Sequence, residues 1–483
     1  MEKKLNFIYP ILFLIFGLFI FFHPMFFDFS KMAGDLGDAR LVSYLLDHGF
    51  LYLTGDNFHS SYFNIPFFYP YQNQLFYTDI LFGGTILYVP IRLFVKNPFS
   101  AVQIWLILVS VLNFLSFYLV SKKVFKFSTL ISSTTAFLFA FSLPRFNQIE
   151  HYQLFLQFYS IFAFYFFITA NKKTYKFILS AIFLVLQVVT TFYFGYLTLF
   201  SLFLLLFILM LRKTTRNKTL NYLKENIKGI FFFVLILTVC LVPVACYYLS
   251  VSKGFKYTSL YLFSPLSLFL SHSFLDNKIT PFNLEDFNQE QITGFGIFTT
   301  TMVLGGLFSL KKYKFEISVF ILSLIIMFLF WQVNILLYFY VPGVSAIRAG
   351  ARAIFILLPV FCFLVGKCLS HLDKKHFIIF LLIILLEQIP VNNAFKWTKE
   401  EHIKRIERYE INSNCPSFGI FETSIAGQID AMWLSNKYKI PTINGYSGFM
   451  PPVYIFQTPP RCLFEANKWF FSPLVIIKRF MVR

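Results

Sequence analysis

Leu5 to Phe27, LNFIYPILFLIFGLFIFFHPMFF, runs through Asp28-Phe29-Ser30-Lys31-Met32-Ala33 into Gly34-Asp35-Leu36-Gly37-Asp38-Ala39-Arg40. Crossing a bilayer takes about 20 consecutive apolar residues, and the opening run supplies them. Lys3 and Lys4 precede it, as in a signal peptide, but Pro24, Phe26 and Phe27 stand where a small-residue cleavage site belongs. The run is therefore read as a retained span. Directly after it come two carboxylates three residues apart, between glycines, in a chain with only 23 Asp and Glu among 483 residues. Asp35 and Asp38 are read as the candidate chemical centre.

Apolar runs of similar length recur further along. Hydrophobic residues make up 57% of the chain and charged ones 13%, and mean hydropathy is +0.66. Water-soluble domains carry about a quarter charged residues. The expected fold is an all-α polytopic membrane protein of about eleven transmembrane helices. They are placed near 5–27, 99–121, 128–146, 152–170, 176–193, 197–211, 229–250, 295–310, 315–331, 351–371 and 376–395. With the N-terminus inside, Lys122, Lys123 and Lys126, then Lys172, Lys173 and Lys176, fall in inside loops, as do the bases of 212–228, 311–314 and 374–375. That one-sidedness is the positive-inside signal of a multi-pass protein. The net charge of +19 thus reflects topology and not a nucleic-acid groove.

An eleven-span count makes 1–396 the transmembrane domain and leaves 397–483 outside. The first outer loop, 28–98, is far longer than a connector. It is expected to hold an amphipathic helix from Asp38, with Leu41, Leu45 and Phe50 near one face, and an interfacial or re-entrant helix from Ile80 to Val95. Cys240, Cys246, Cys362 and Cys368 lie in apolar runs and read as packing residues. Cys415 and Cys462, in the polar tail, can pair in an oxidising compartment.

This topology gathers polar groups at the outer face, each open to two readings. Paired carboxylates can hold a metal ion, or one can act as general base. Asp38 can instead cap a helix beginning at Ala39. Asp35 has no structural reading beyond a glycine turn, which makes it the preferred base. Glu150-His151-Tyr152-Gln153 joins two spans and is richer than a turn requires: it suits hydrogen bonding to a sugar or phosphate, or metal ligation by His151, or an interfacial turn. Arg348 and Arg352, four apart, suit a phosphate or snorkel to lipid headgroups. Glu290 is the acid of the loop 251–294 nearest the next span, and Asp79 completes the outer set. Tyr69, Tyr71 and Tyr77 stack on a sugar or belong to an interfacial belt. No phosphate-binding glycine loop, nucleophile elbow or zinc-protease motif stands out. Every inside loop is short, which argues against an ATP-driven transporter and against direct use of cytosolic nucleotide sugars.

Taken in order, several short stretches carry a resemblance. They are Asp35-Leu36-Gly37-Asp38-Ala39-Arg40, Phe67-Phe68-Tyr69-Pro70, Tyr77-Thr78-Asp79, His151-Tyr152-Gln153, Ile347-Arg348, Asp430-Ala431-Met432-Trp433 and Asn444-Gly445-Tyr446-Ser447-Gly448. With the long first outer loop and its juxtamembrane helix, the chain resembles the GT-C superfamily of integral-membrane glycosyltransferases. More closely, it resembles an uncharacterised group of bacterial polytopic membrane proteins. The resemblance implies a sugar donor on a polyprenyl phosphate and a glycan, lipid or protein acceptor, at the outer face of the cytoplasmic membrane. It makes Asp35 or Asp38 the base or metal ligand, assigns Arg348 to the donor phosphate, and brings a divalent cation (Mg or Mn) in many members. Here the acids read Asp-Leu-Gly-Asp, neither spaced by one residue nor an adjacent Asp-Glu, so metal dependence stays open. Arg352 joins Arg348 by helical spacing, not by the resemblance.

Residues 397–483 are the candidate extracytoplasmic C-terminal segment, small and α+β, with a helix over Lys399 to Glu410, a strand over Phe418 to Phe421, and a strand then turn from Pro441 to Gly448. Fewer than 90 residues make a poor core alone. The segment is expected to pack on the outer loops, with Asp430, Trp433 and Tyr446 in its core or on the acceptor. The expected function is a membrane glycosyltransferase, with Asp79, His151, Gln153, Glu290 and Tyr446 binding substrate. The rivals are a transporter or lipid-linked saccharide flippase, which places binding groups near the bilayer midplane, and a non-catalytic GT-C-like scaffold.

Overall fold

The computed structural model describes residues 2–252, 268–279, 289–310, 313–331, 349–391, 394–411, 415–420 and 422–451. The chain is predominantly helical, with one two-stranded sheet among the described residues. In chain order it runs α1 (Glu2–Phe27), β1 (Lys31–Met32), α2 (Asp38–Leu53), α3 (Phe82–Phe94), α4 (Pro98–Lys123), α5 (Thr129–Ala140) and α6 (Leu143–Asn147). Then come α7 (Phe158–Ile168), α8 (Thr174–Thr190), α9 (Phe192–Leu211), α10 (Lys213–Glu225), α11 (Ile227–Ser252) and α12 (Asp276–Ile279). The rest are α13 (Ile297–Phe308), α14 (Lys314–Trp331), α15 (Ile354–Leu369), α16 (Lys374–Glu387), β2 (Trp397–Thr398), α17 (Lys399–Glu407) and α18 (Ile425–Tyr438).

Among the described residues, four stretches are helical, long and apolar enough to cross a membrane: Phe7–Phe27, Pro98–Lys123, Phe192–Leu211 and Ile227–Val251. Shorter apolar helices lie among them, and the chain is a membrane protein. The run expected to span 128–146 breaks at Phe141, and α6 restarts with Pro144 in its first turn, where the missing N–H costs nothing. Arg145 holds the break together. Its guanidinium is wholly buried and donates to Phe139 O (2.6 Å), Leu154 O (3.2 Å) and Gln157 Oε1 (2.6 Å), so the turn carrying residues 148–153 is fixed from both sides. α8 and α9 part at Thr191, within the stretch Thr190-Thr191-Phe192-Tyr193-Phe194-Gly195-Tyr196 where two short spans are expected to meet. α3 has 13 residues, about 20 Å at 1.5 Å each, and falls short of the hydrocarbon core.

α2 is not the one-faced amphipathic helix its pattern implies: Ala39 to Gly49 are buried on every side. Its buried charged groups and His48 are accordingly partnered. Arg40 meets Asp430 at 2.6 Å, Asp47 meets Arg92 at 2.8 Å, and the His48 and His59 Nδ1 atoms lie 2.7 Å apart. The cover of α2 comes from α3, α4 and, from the C-terminal segment, α18. β2 pairs antiparallel with β1, Met32 opposite Trp397, and Gly34 N donates to Ala394 O (2.7 Å). Further on, Phe68 N donates to Asn444 O and Tyr69 N to Thr442 O, both at 3.0 Å. Phe418 bridges Thr442 as an isolated pair; Phe421 lies outside the described residues.

Cys362 is buried and free, and Cys368 is half-buried and free. Cys240 and Cys246 correct the packing expectation: both are exposed, because α11 buries only 6% of its apolar window. Cys415 is disulfide-bonded; Cys462 lies outside the described residues.

Candidate active site

Gly34 starts the local geometry. Its φ of +78° belongs to the left-handed region, and a Cβ there would sit 2.7 Å from Ala39 Cβ and 3.0 Å from Glu150 Cα. The chain can therefore fold back tightly before α2, and Asp35 Oδ1 accepts from Ala39 N (3.2 Å). The capping task falls to Asp35, not to Asp38. Burial first, then the carboxylates of Glu150 and Asp38, push Asp35 up to about 6. Its side chain does not line the cavity described next. Asp38 opens α2 with its carboxylate unused in capping, at the positive end of the helix dipole.

Asp38 faces a cavity together with Asp79, His151, Gln153, Glu290, Arg352 and Tyr446. These come from six separate stretches of chain. Asp38 Oδ2 is 3.5 Å from His151 Nδ1. On the other side of the ring, His151 Nε2 lies 2.8 Å from Glu290 Oε1 and 2.9 Å from Arg352 Nη2. Arg352 forks onto Glu290, donating from Nη2 to Oε1 (2.7 Å) and from Nε to Oε2 (3.3 Å). Burial alone would raise the Glu290 carboxyl, but Arg352 and His151 hold it well below the usual range. Nε2 of His151 can donate to Glu290 or accept from Arg352, according to which ring nitrogen carries the proton.

Much of the remaining lining is aromatic. Phe76, Tyr77, Phe192, Tyr193, Tyr248 and Phe449 belong to it. Tyr193 stacks beneath the Arg352 guanidinium at 5.6 Å and accepts from Ala349 N (3.1 Å), while Phe192 and Tyr248 lie 4.6 Å apart. Asp79 Oδ1 accepts from Phe192 N (3.0 Å), closing the start of α9 from across the chain. Burial pushes its carboxyl up to about 6 despite that bond. Gln153 Oε1 is buried with no hydrogen-bond partner among the described residues, leaving an acceptor for a hydroxyl. Phe449 N donates to Tyr77 O (3.2 Å), so the C-terminal segment closes one side.

Residues 49–390 match the family described as "Domain of unknown function (DUF6311)". The chain belongs to that family. No curated protein matches its sequence. In fold, this DUF6311 chain is similar to solved structures of the Archaeoglobus fulgidus oligosaccharyltransferase. The form complexed with Zn and sulfate gives a TM-score of 0.53 at 12% identity, covering 90% of this chain and 62% of that one. The apo form gives 0.54 at 12%, covering 92% and 65%. That enzyme, AglB, complexed with an inhibitory peptide and a dolichol-phosphate, gives 0.54 at 11%, covering 92% and 65%. The chain thus spans less than two thirds of the length of these proteins, and the likeness is one of a GT-C-like membrane fold.

For the DUF6311 chain, several sequence expectations take definite places. Arg348 lies outside the described residues. Arg352 sits in a 3-10 turn (Gly350–Ala353) with its guanidinium committed to Glu290. Asp430 and Trp433 belong to the core of the C-terminal segment and do not line the cavity, whereas Tyr446 does. Tyr69 and Tyr71 stand away from the cavity and Tyr77 lines it. Among the described residues no three His, Cys, Asp or Glu side chains converge as metal ligands, and of the two acids Asp38 lines the cavity. Phe192, Tyr193 and Tyr248 are cavity residues that the sequence does not set apart as functional, because aromatic residues fill the spans throughout; for Phe192 and Tyr193 the polar Thr190-Thr191 break beside them is the available signal.

Proposed function

We propose that this protein is a membrane glycosyltransferase that moves a sugar from a polyprenyl-phosphate donor to an acceptor hydroxyl. The proposal includes an eleven-span arrangement in the bacterial cytoplasmic membrane, N-terminus inside, cavity and C-terminal segment outside. The observation that carries it is Asp38 facing a cavity that also holds the His151–Glu290–Arg352 cluster and aromatic walls of the kind that receive sugar rings. The fold likeness to an oligosaccharyltransferase supports the same class, and a neighbour holding dolichol-phosphate supports a lipid-linked donor.

In the proposed reaction the Asp38 carboxylate takes the acceptor hydroxyl proton as the oxygen attacks the anomeric carbon. The bond from that carbon to the phosphate oxygen breaks, and the polyprenyl phosphate leaves with the electron pair. Attack opposite the leaving group inverts the anomeric centre. Arg352 supplies positive charge beside the departing phosphate, shared with Glu290. The test is transfer of labelled sugar from a polyprenyl-phosphate donor by protein in liposomes. Asp38→Asn is expected to lower the rate by about 100-fold or more, the usual range for loss of a general base. Wild-type rate in that variant rules the base assignment out, and no transfer by wild-type protein from any such donor removes the reading.

A further inference from the structure

α9 runs from Phe192 and Tyr193, which line the cavity, to Leu211. At 1.5 Å per residue its 20 residues cover about 30 Å, one hydrocarbon thickness. α11 returns from Ile227 to Tyr248, which lines the cavity again. α10 joins the two far ends and so lies on the membrane face opposite the cavity. Its exposed positions include Lys213, Arg216, Lys218 and Lys224, and Lys172 and Lys173 are exposed in the neighbouring turn between α7 and α8. The two pieces are tied: Lys172 N donates to Asn226 Oδ1 (2.7 Å) and Tyr222 Oη to Phe167 O (2.6 Å). Among the described residues, the acids paired with this region are Glu225, a loose 3.8 Å from Lys172, and buried Glu316, which takes Arg212 at 3.2 Å. The bases therefore outnumber their counter-charges.

Apolar side chains flank them. Leu211, Leu220 and Ile227 are all exposed, and α11 beside them packs on α8 but leaves most of its apolar residues incompletely buried. Bases beside exposed aliphatic side chains at the end of a lipid-facing span have the make-up of a helix lying in the bilayer interface. An acidic protein surface would neutralise the bases but leave the aliphatic groups without an apolar partner. We infer that α10 and the turn between α7 and α8 form a binding surface for anionic lipid headgroups, on the membrane face opposite the cavity. The surface does not depend on the glycosyltransferase reading.

The test uses full-length protein in detergent, stripped of lipid and titrated with phosphatidylglycerol or phosphatidylcholine of identical chains, bound lipid being counted by native mass spectrometry. Phosphatidylglycerol is expected to bind about tenfold or more tightly than phosphatidylcholine. The variant Lys213→Gln/Arg216→Gln/Lys218→Gln/Lys224→Gln loses that preference at unchanged melting temperature, whereas Lys122→Gln/Lys123→Gln keeps it. Should the fourfold variant fail to fold, Arg216→Gln and Lys218→Gln singly carry the test, each weakening phosphatidylglycerol binding about fivefold. Equal binding of the two lipids overturns the inference, as does a preference that survives these substitutions. Displacement of the lipid by millimolar inorganic phosphate points to a free-phosphate site instead. Capture of polyglutamate in place of lipid points to an acidic protein partner.

Discussion

The first backbone N–H groups of a helix have no partner within it, and at α2 one of them finds its acceptor in Asp35. Burial and the nearby Glu150 and Asp38 charges raise Asp35 from an ordinary 3.8 to about 6. A folded-state pKa above the unfolded one means the stabilising protonated form is fully present below about 3.8 and is lost as pH rises through about 6. Asp35→Asn keeps an acceptor for Ala39 N–H without the charge. Between pH 5 and 8 the wild-type melting temperature is expected to fall relative to that variant, by the equivalent of roughly 1–3 kcal/mol. Asp35→Ala loses the cap and costs about 1 kcal/mol. Parallel pH curves for wild type and the Asn variant count against the buried charge. The spacing of the two acids was readable in the sequence, but the assignment of the cap was not. It depends on the left-handed turn at Gly34 and on the chain path through Gly37, which send Asp35 back over the helix and leave Asp38 toward His151.

At the scale of elements, α2 is clasped by helices almost four hundred residues away. Arg40, two residues past Asp38, is wholly buried and donates from Nη2 to Asp430 Oδ1 (2.6 Å). Arg405 of α17 donates from Nη2 to Oδ2 of the same carboxylate (2.6 Å) and from Nε at 2.9 Å. His402 Nδ1 lies 2.9 Å from Arg40 Nη2, and burial with the two guanidiniums pushes its pKa down to about 2, so it takes the Arg40 N–H as a neutral ring. Removing one partner of such a pair leaves an uncompensated buried charge. Asp430→Asn is expected to cost about 3–5 kcal/mol and to speed amide exchange at residues 38–42 selectively. Unchanged exchange there, in a folded variant, separates the clasp from the placement of Asp38. Asp430 and Arg40 each stand out in the sequence as charges amid apolar residues. Nothing local pairs them, because the contact exists only once the C-terminal segment folds over the first loop.

For the molecule as a whole, the C-terminal segment and the membrane-spanning part share one core. Trp433 lies edge-on to Tyr44 of α2 at 5.6 Å and within 4.9 Å of Phe99 at the start of α4, while Trp397 meets Phe99 at 5.3 Å. The membrane class was legible because burial in lipid demands long apolar runs. Broken helices were less legible. A run of constant hydropathy does not say that Arg145 and Gln157 will stop it and turn it inward, since the hydrogen bonds that replace the helix come from residues on both sides of the break. The shared core makes unfolding a joint event. Trp433→Ala removes a large buried side chain and leaves a cavity between the segment and α2, a change that costs about 3–5 kcal/mol. If the segment and the first loop unfold together, hydrogen exchange should rise by the same free energy in α18 and in α2, and the melting curve should stay a single transition. A segment folding on its own would instead show loss confined to α18, with α2 protected as in wild type. That outcome would detach the segment from the site. The joint loss ties Asp38 to a fold that residues 397–451 help to hold, because the first turn of α2 then has no stable position without them.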